Sequence, residues 1–280
     1  MHAKRTPLWI FANILKWILL GTLLGLSLLP LLWLFVSSLR TNLELQISPF
    51  GWPAKIQWVN YVKALSMASL PRLLLNSVVV AVCAVIVNSL VTSMAAFILS
   101  REHFKGRDVI YTILTAGVLV PVISFMVPYF SLITHTGLYN TLTALIFVYT
   151  AVNIPVSIFL VTAFMKSIPK ELEEAAIIDG CGFFKRFTKI ILPLSRSGLV
   201  TAATFCFIYS WNEFLMAMLL TSSIESRTIQ LGIKFFSSQF ITDYSSMYAA
   251  VIITIIPSVA GYIFLHDKII GGLTAGGVKG

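Results

Sequence analysis

The sequence predicts an all-α protein that crosses a lipid bilayer several times. The chain has 280 residues, of which 58% are hydrophobic and only 11% charged, against about 25% charged in soluble domains. Its apolar residues lie in long runs, and a bilayer core takes about 20 of them per helical crossing. They do not alternate in segments of about ten, as the strands of a membrane barrel would.

Taken in order, six runs are long enough: 17–36, 73–99, 109–133, 142–165, 198–220 and 246–266. The first follows a basic start at Lys4, Arg5 and Lys16 and continues to Val36. That is longer than the apolar core of a removable signal, so a retained span is expected. Residues 37–72 hold Pro49, Gly51, Trp52, Pro53 and Trp58 and read as an irregular, interfacial connection. Small residues four apart, Ser89 with Ser93 and Ser246 with Ala250, permit close helix contact. Pro121 and Pro128 in the third span, Pro155 in the fourth and Pro257 in the sixth interrupt backbone hydrogen bonds. Such breaks serve either packing or a cavity. The chain thus divides into 1–72, with the first span and its outer connection, a five-helix core at 73–266, and a tail at 267–280.

Fourteen of the twenty Lys and Arg fall on the side of the membrane that holds both chain ends and the loop 166–197. Cytoplasmic loops collect such residues, so this side is expected to be cytoplasmic. The net charge of +9 is read the same way, and not as a nucleic-acid footprint. Cys83, Cys181 and Cys206 lie apart, and the four histidines are scattered, so neither a disulfide framework nor a metal site is expected. No G-x-x-x-x-G-K-[ST] loop is present to cradle phosphates. No nucleophile–base pair suggests catalysis.

The densest charge lies between spans four and five, in EEAAIIDGCGFFKRFTKIILP (173–193). Pro169 suits a first helical turn, and Glu171, Glu173 and Glu174 complement the positive end of a helix dipole. Leu172, Ala175, Ala176 and Asp179 then share one face at helical spacing. Gly180 falls where a helix would end in a left-handed residue. A second short helix is expected from Gly182 to Leu192, with Pro193 ending or bending it. Three uses compete: an amphipathic helix on lipid headgroups, a helix-turn-helix for DNA, and a docking plug for a cytoplasmic partner.

Glu174–Ala175–Ala176, Asp179–Gly180, Ile190 and Leu192–Pro193, at these spacings, resemble the EAA loop of ABC-importer permease subunits. The tail GGLTAGGVKG (271–280) and the stretches NSVVVAV (76–82), SREHFKGR (100–107) and YSWNEFLMA (209–217) are similar to the six-span partner of the maltose-type carbohydrate permeases. The resemblance covers essentially the whole chain and implies a bacterial inner-membrane subunit of a binding-protein-dependent transport system. It implies that the eight loop residues Glu174, Ala175, Ala176, Asp179, Gly180, Ile190, Leu192 and Pro193 couple to an ATPase. It also implies that the tail, with Gly272, Leu273, Thr274, Gly277 and Lys279, reaches between ATPase subunits. The implied partners are a second permease subunit, two ATP-binding subunits that hold ATP and magnesium, and an extracytoplasmic solute-binding protein. By composition alone, five glycines in ten residues predict no stable helix in the tail.

Within the spans, Glu213 is the one formal charge away from the membrane boundaries. An intramembrane acid faces a partner or a cavity. Tyr209, Asn212 and Glu213, with Asn153 in the fourth span, supply the amide, carboxylate and aromatic groups that a neutral sugar requires. They are candidates for a solute pathway, and for Asn212 and Glu213 a structural polar bond to a neighbouring helix is the competing role. A non-sugar solute such as a polyamine and a secondary transporter remain as alternatives.

Overall fold

The computed structural model describes residues 7–66, 69–233 and 243–277. All regular structure among them is helical. Two compact units emerge, Met1–Met67 with Phe235–Ile253, and Ala68–Lys234 with Thr254–Gly280.

In the first unit, α1 spans Pro7–Ser38 and presents apolar side chains along most of its length. The connection expected to be irregular instead carries two short helices, α2 (Asn42–Ile47) and α3 (Val59–Ser66). A capping box starts α2: the Glu44 amide donates to Thr41 Oγ1 and the Thr41 amide to Glu44 Oε2. Buried Arg40 then donates to the carbonyls of Glu44, Ser48 and Pro49. Asn60 donates to those of Ser38 and Arg40.

The second unit is built on α4 (Leu70–Arg101), α7 (Leu142–Ser167) and α11 (Arg196–Asn212), which pack pairwise. Close approach is steric in origin: a Cβ added at Gly198 would lie 2.4 Å from Phe164 Cγ. Asn88, Thr92 and Ser93 are buried along α4, with Ser89 only partly covered. Of the expected pair, Ser93 is therefore on the buried seam, and Asn88 and Thr92 take the place expected of Ser89.

The third span is broken. Helix α5 (Arg107–Ala116) and α6 (Met126–His135) are joined by 3₁₀ turns around Pro121, and the two halves bend by 103°. Proline donates no amide hydrogen and drives its predecessor to extended backbone, as Val120 shows with ψ 121°. Pro155 does not break α7; its ring fits against Gly117, where an added Cβ would stand 2.7 Å away.

Past α7 come α8 (Glu171–Ile178), α9 (Phe183–Lys185), a π turn over Arg186–Ile191 and α10 (Leu192–Leu194). The segment Phe183–Leu194 bends by 73° into α11. The fifth span is also discontinuous: α11 stops at Asn212 and α12 (Leu215–Leu220) restarts beyond Glu213 and Phe214. At the α12 end, Asn76 donates to the carbonyls of Glu225 and Arg227, and Ser77 accepts from the Ile229 amide. Those bonds tie α4 to the segment leading into α13 (Ile229–Ile233).

Helix α14 (Tyr244–Gly277) is most apolar over Tyr244–Gly261. It continues through Gly271, Gly272 and Gly276, where glycine content predicts no helix. Extending an existing helix avoids the nucleation cost, and each glycine then loses only about 1 kcal/mol relative to alanine. Among the described residues, four helices are individually long and apolar enough to cross a membrane, and the two bent pairs raise the number of crossings to as many as six.

Candidate functional site

The loop after α7 is held in a definite shape by its own backbone. Lys170 caps α8 and Pro169 precedes the cap, so the proline lies just outside the first turn and not in it. The helix ends in a Schellman motif: Gly180 donates to the Ile177 carbonyl and Cys181 to that of Ala176. Gly180 supplies the left-handed conformation, with φ +76°.

The face of α8 differs from the expected one. Ala176 turns inward together with Glu173, while Leu172, Glu174, Ala175, Ile177, Ile178 and Asp179 are exposed. The cause is electrostatic. Glu173 Oε1 lies 2.6 Å from Arg186 Nη1, and its Oε2 lies 3.7 Å from Arg101 Nε. Arg186 Nη2 reaches Glu102 at 3.0 Å, and Arg101 donates to the carbonyls of Met165 and Ile168 at the end of α7. Local periodicity carries no trace of an arginine on α4, so the burial of Glu173 was not legible.

Beneath this network, Ile191 is buried and Ile190 and Leu192 half-buried against Phe97 of α4 and Met165 of α7. Phe97 also meets the rings of Phe183 and Phe187, with centroids 5.2 and 5.1 Å away. The eight loop residues therefore separate. Ala176, Ile190 and Leu192 anchor the loop; Glu174, Ala175, Asp179, Gly180 and Pro193 lie on its surface. Most of the large exposed side chains of α8 are apolar, and Ile178 is 85% exposed.

A second feature lies where α11 gives way to α12. Glu213 accepts from the amides of Met216 at 2.7 Å and Ala217 at 3.0 Å, so its carboxylate caps α12. The Tyr149 hydroxyl donates to Glu213 Oε2 at 2.7 Å. Tyr149 is fully buried and meets Tyr209 edge to face at 6.0 Å. A cavity of about 460 Å³ opens beside this cap, lined by Val122, Met126, Tyr209, Asn212, Glu213 and Phe214 among others. Its size is in the range of small-molecule sites, and its wall is mostly apolar with three polar groups. Tyr209, Asn212 and Glu213 are thus brought together. Asn153 is not in that lining; it is buried on α7 and donates to the Tyr149 carbonyl.

Of the tail candidates, Gly272, Leu273, Thr274 and Gly277 lie on the backbone of α14, and Lys279 lies outside the described residues.

Residues 88–267 match the family model of the binding-protein-dependent transport system inner membrane component. The sulfoquinovosyl glycerol transport system permease protein of Agrobacterium fabrum is 34% identical over 95% of this chain and 94% of its own length. The trehalose/maltose transport system permease protein of Thermococcus litoralis is 36% identical, covering 91% of this chain and 92% of that one. A solved bacterial ABC transporter involved in import of the acidic polysaccharide alginate shares the fold, with a TM-score of 0.82 and 22% identity over 94% of this chain and 98% of that one. With the helical bundle, the broken spans and the loop between α7 and α11, these likenesses place the chain in the family of binding-protein-dependent transport system inner membrane components.

Proposed function

We propose that this chain is the permease subunit through which an ATP-driven importer carries a carbohydrate, an oligosaccharide or a related polyol-like solute, across the bacterial inner membrane. The observation that carries the reading is the exposure of large apolar side chains on α8. Leu172, Ile177 and Ile178 stand outward on a helix too short and too polar in sequence to span, fixed to the ends of α4 and α7. Such side chains match the walls of an enclosing protein groove better than water. In this reading the partner in the groove is an ATPase that holds ATP and magnesium. The chain works with a second permease subunit, two ATP-binding subunits and an extracytoplasmic solute-binding protein, and both its termini are cytoplasmic. Closure of the ATPase pair moves α8, and the spans exchange between two arrangements that the partners stabilise differently.

The names of the relatives, which include transport systems for sulfoquinovosyl glycerol and for trehalose and maltose, support a carbohydrate. So does a cavity pairing aromatic and apolar wall with an amide and a carboxylate. A cationic solute such as a polyamine would seek the charge of Glu213, but that carboxylate already takes three donors. Co-purification with the partner subunits, then ATPase assays in lipid with a panel of sugar-loaded binding proteins, tests the reading. Stimulation by one class of sugar is expected. Stimulation by polyamine-loaded protein alone, or ion-coupled flux through this chain without partners, overturns it.

A further inference from the structure

We infer that Arg101, Glu102, Glu173 and Arg186 form a clamp that makes α8 move as one body with the ends of α4 and α7, with Glu173 as its positioning residue. The inference rests on the docking role proposed for α8 and adds to it the means by which displacement reaches the spans.

Three acids occupy the first turn of α8, yet only Glu173 is buried. The helix dipole favours all three equally and would be satisfied with each in water. Burying a carboxylate is costly unless it is paired. Glu173 is therefore held inward by its two arginines, whose side chains are themselves 2% and 16% exposed. Each arginine has a second attachment. Arg101, the last residue of α4, donates to Met165 and Ile168, whose carbonyls belong to the terminal turn of α7 and its cap; the Met165 carbonyl also accepts from the Ile168 amide. Arg186, at the start of the π turn, also bonds Glu102, the cap of α4.

Four charges of zero net sum thus connect four elements in a closed ring. An exposed ion pair contributes little and yields easily. This one is largely buried, and removing one member leaves an uncompensated charge on the others. Force applied to the outer face of α8 is delivered to α4 and α7 together. Without the ring, α8 keeps its outward side chains but is joined to those helices through the backbone at its two ends and the apolar packing of Phe183, Phe187 and Ile191 around Phe97 and Met165.

Hydrogen exchange in the assembled transporter, with and without ATP and vanadate, tests this. In Glu173→Gln the amides of 171–178 should exchange at least about tenfold faster than in the parent. In the parent, ATP with vanadate should alter exchange at 171–178, 98–104 and 162–168 together; in Glu173→Gln the change should stay within 171–178. Unaltered basal exchange, or a joint response that persists, overturns the clamp. Should Glu173→Gln fail to insert, Arg186→Gln is expected to give the same pattern and Arg186→Lys to restore part of the joint response. An equal response in both arginine variants also counts against the clamp. Ile178→Asp separates the two ideas, because it leaves the ring intact and should abolish co-purification with the ATPase. If Ile178→Asp still assembles, the docking role falls, while basal exchange in Glu173→Gln still decides whether the ring holds α8.

Discussion

The hydroxyl of Tyr149 and the carboxylate of Glu213 meet at 2.7 Å, joining α7 to the point where α11 breaks and α12 begins. The carboxylate has two duties, since it also caps α12 through the Met216 and Ala217 amides. The cavity wall is therefore made by the same group that fixes the helix restart. Removing one donor and removing the carboxylate should have different consequences.

Tyr149→Phe takes away one hydrogen bond to a charged acceptor and keeps the ring in place. We expect a loss of about 2 kcal/mol in stability, the usual worth of such a bond, read as a lowered melting temperature in detergent with solute preference retained. Asn212→Ala should barely change the melting temperature, because that side chain is exposed and bonds only its own helix at Ile208. It should nonetheless lower uptake about tenfold if its amide meets solute, one hydrogen bond being about 1.4 kcal/mol. Glu213→Gln should lower uptake similarly. Unchanged uptake kinetics in both Asn212→Ala and Glu213→Gln would remove these residues from the pathway.

The loop makes a separate prediction. Gly180 closes α8 with φ +76° and donates to the Ile177 carbonyl. Proline cannot adopt that angle and has no donor, so Gly180→Pro should leave the spans inserted while dissociating ATP hydrolysis from transport. Gly180→Ala should be milder, at a cost of about 1 kcal/mol. Glu174 is exposed, so Glu174→Lys should preserve folding yet weaken ATPase attachment in co-purification. Normal uptake in Gly180→Pro and Glu174→Lys would argue strongly against docking through α8.

Much of this architecture was legible because lipid imposes a simple requirement: long apolar runs became α1, α4, α7 and the apolar start of α14. Gly180 was legible because one backbone angle selects glycine, but which proline breaks a span was not: the chain breaks at Pro121, while Pro155 and Pro257 lie inside α7 and α14. The restart at Glu213 was not. Its signal is a side chain reaching amides three and four residues ahead, which hydropathy does not register. Nor was the rotation of α8, since the partners of Glu173 lie 72 positions before it and 13 after it. The stretches SREHFKGR and YSWNEFLMA resembled known permeases before either had a structural meaning. The first supplies Arg101 and Glu102 to the ion-pair ring, and the second supplies the α12 cap.

Packing at the α7–α11 crossing can be tested through Gly198. Its missing side chain admits Phe164, and a Cβ there would sit within 2.7 Å of three atoms of that residue. Gly198→Val should therefore force the helices apart and destabilise the protein by about 1–3 kcal/mol. Adding Phe164→Ala in the same chain should recover part of the loss, because the two changes share one space. Melting temperatures of the two single variants and the double variant decide the matter, and strict additivity would exclude this contact as the cause.

The last prediction concerns acid. Asp243 stands at the head of α14, where Ser246 donates to it through both amide and hydroxyl, and Asn42 donates through its side-chain amide. Burial raises its pKa, but the Ser246 and Asn42 bonds outweigh that effect and hold the carboxyl below the usual aspartate range. A carboxylate with a depressed folded-state pKa stabilises the fold above its unfolded value of about 3.9. That contribution is lost as pH falls through the lower folded value. Stability from this cap should thus be constant near neutrality and decline only below about pH 4. Asp243→Asn should lower the melting temperature at pH 7 and lose less than the parent between pH 5 and pH 3 (about two units across the carboxylate range). Equal acid sensitivity in the two proteins would show that other carboxylates govern it.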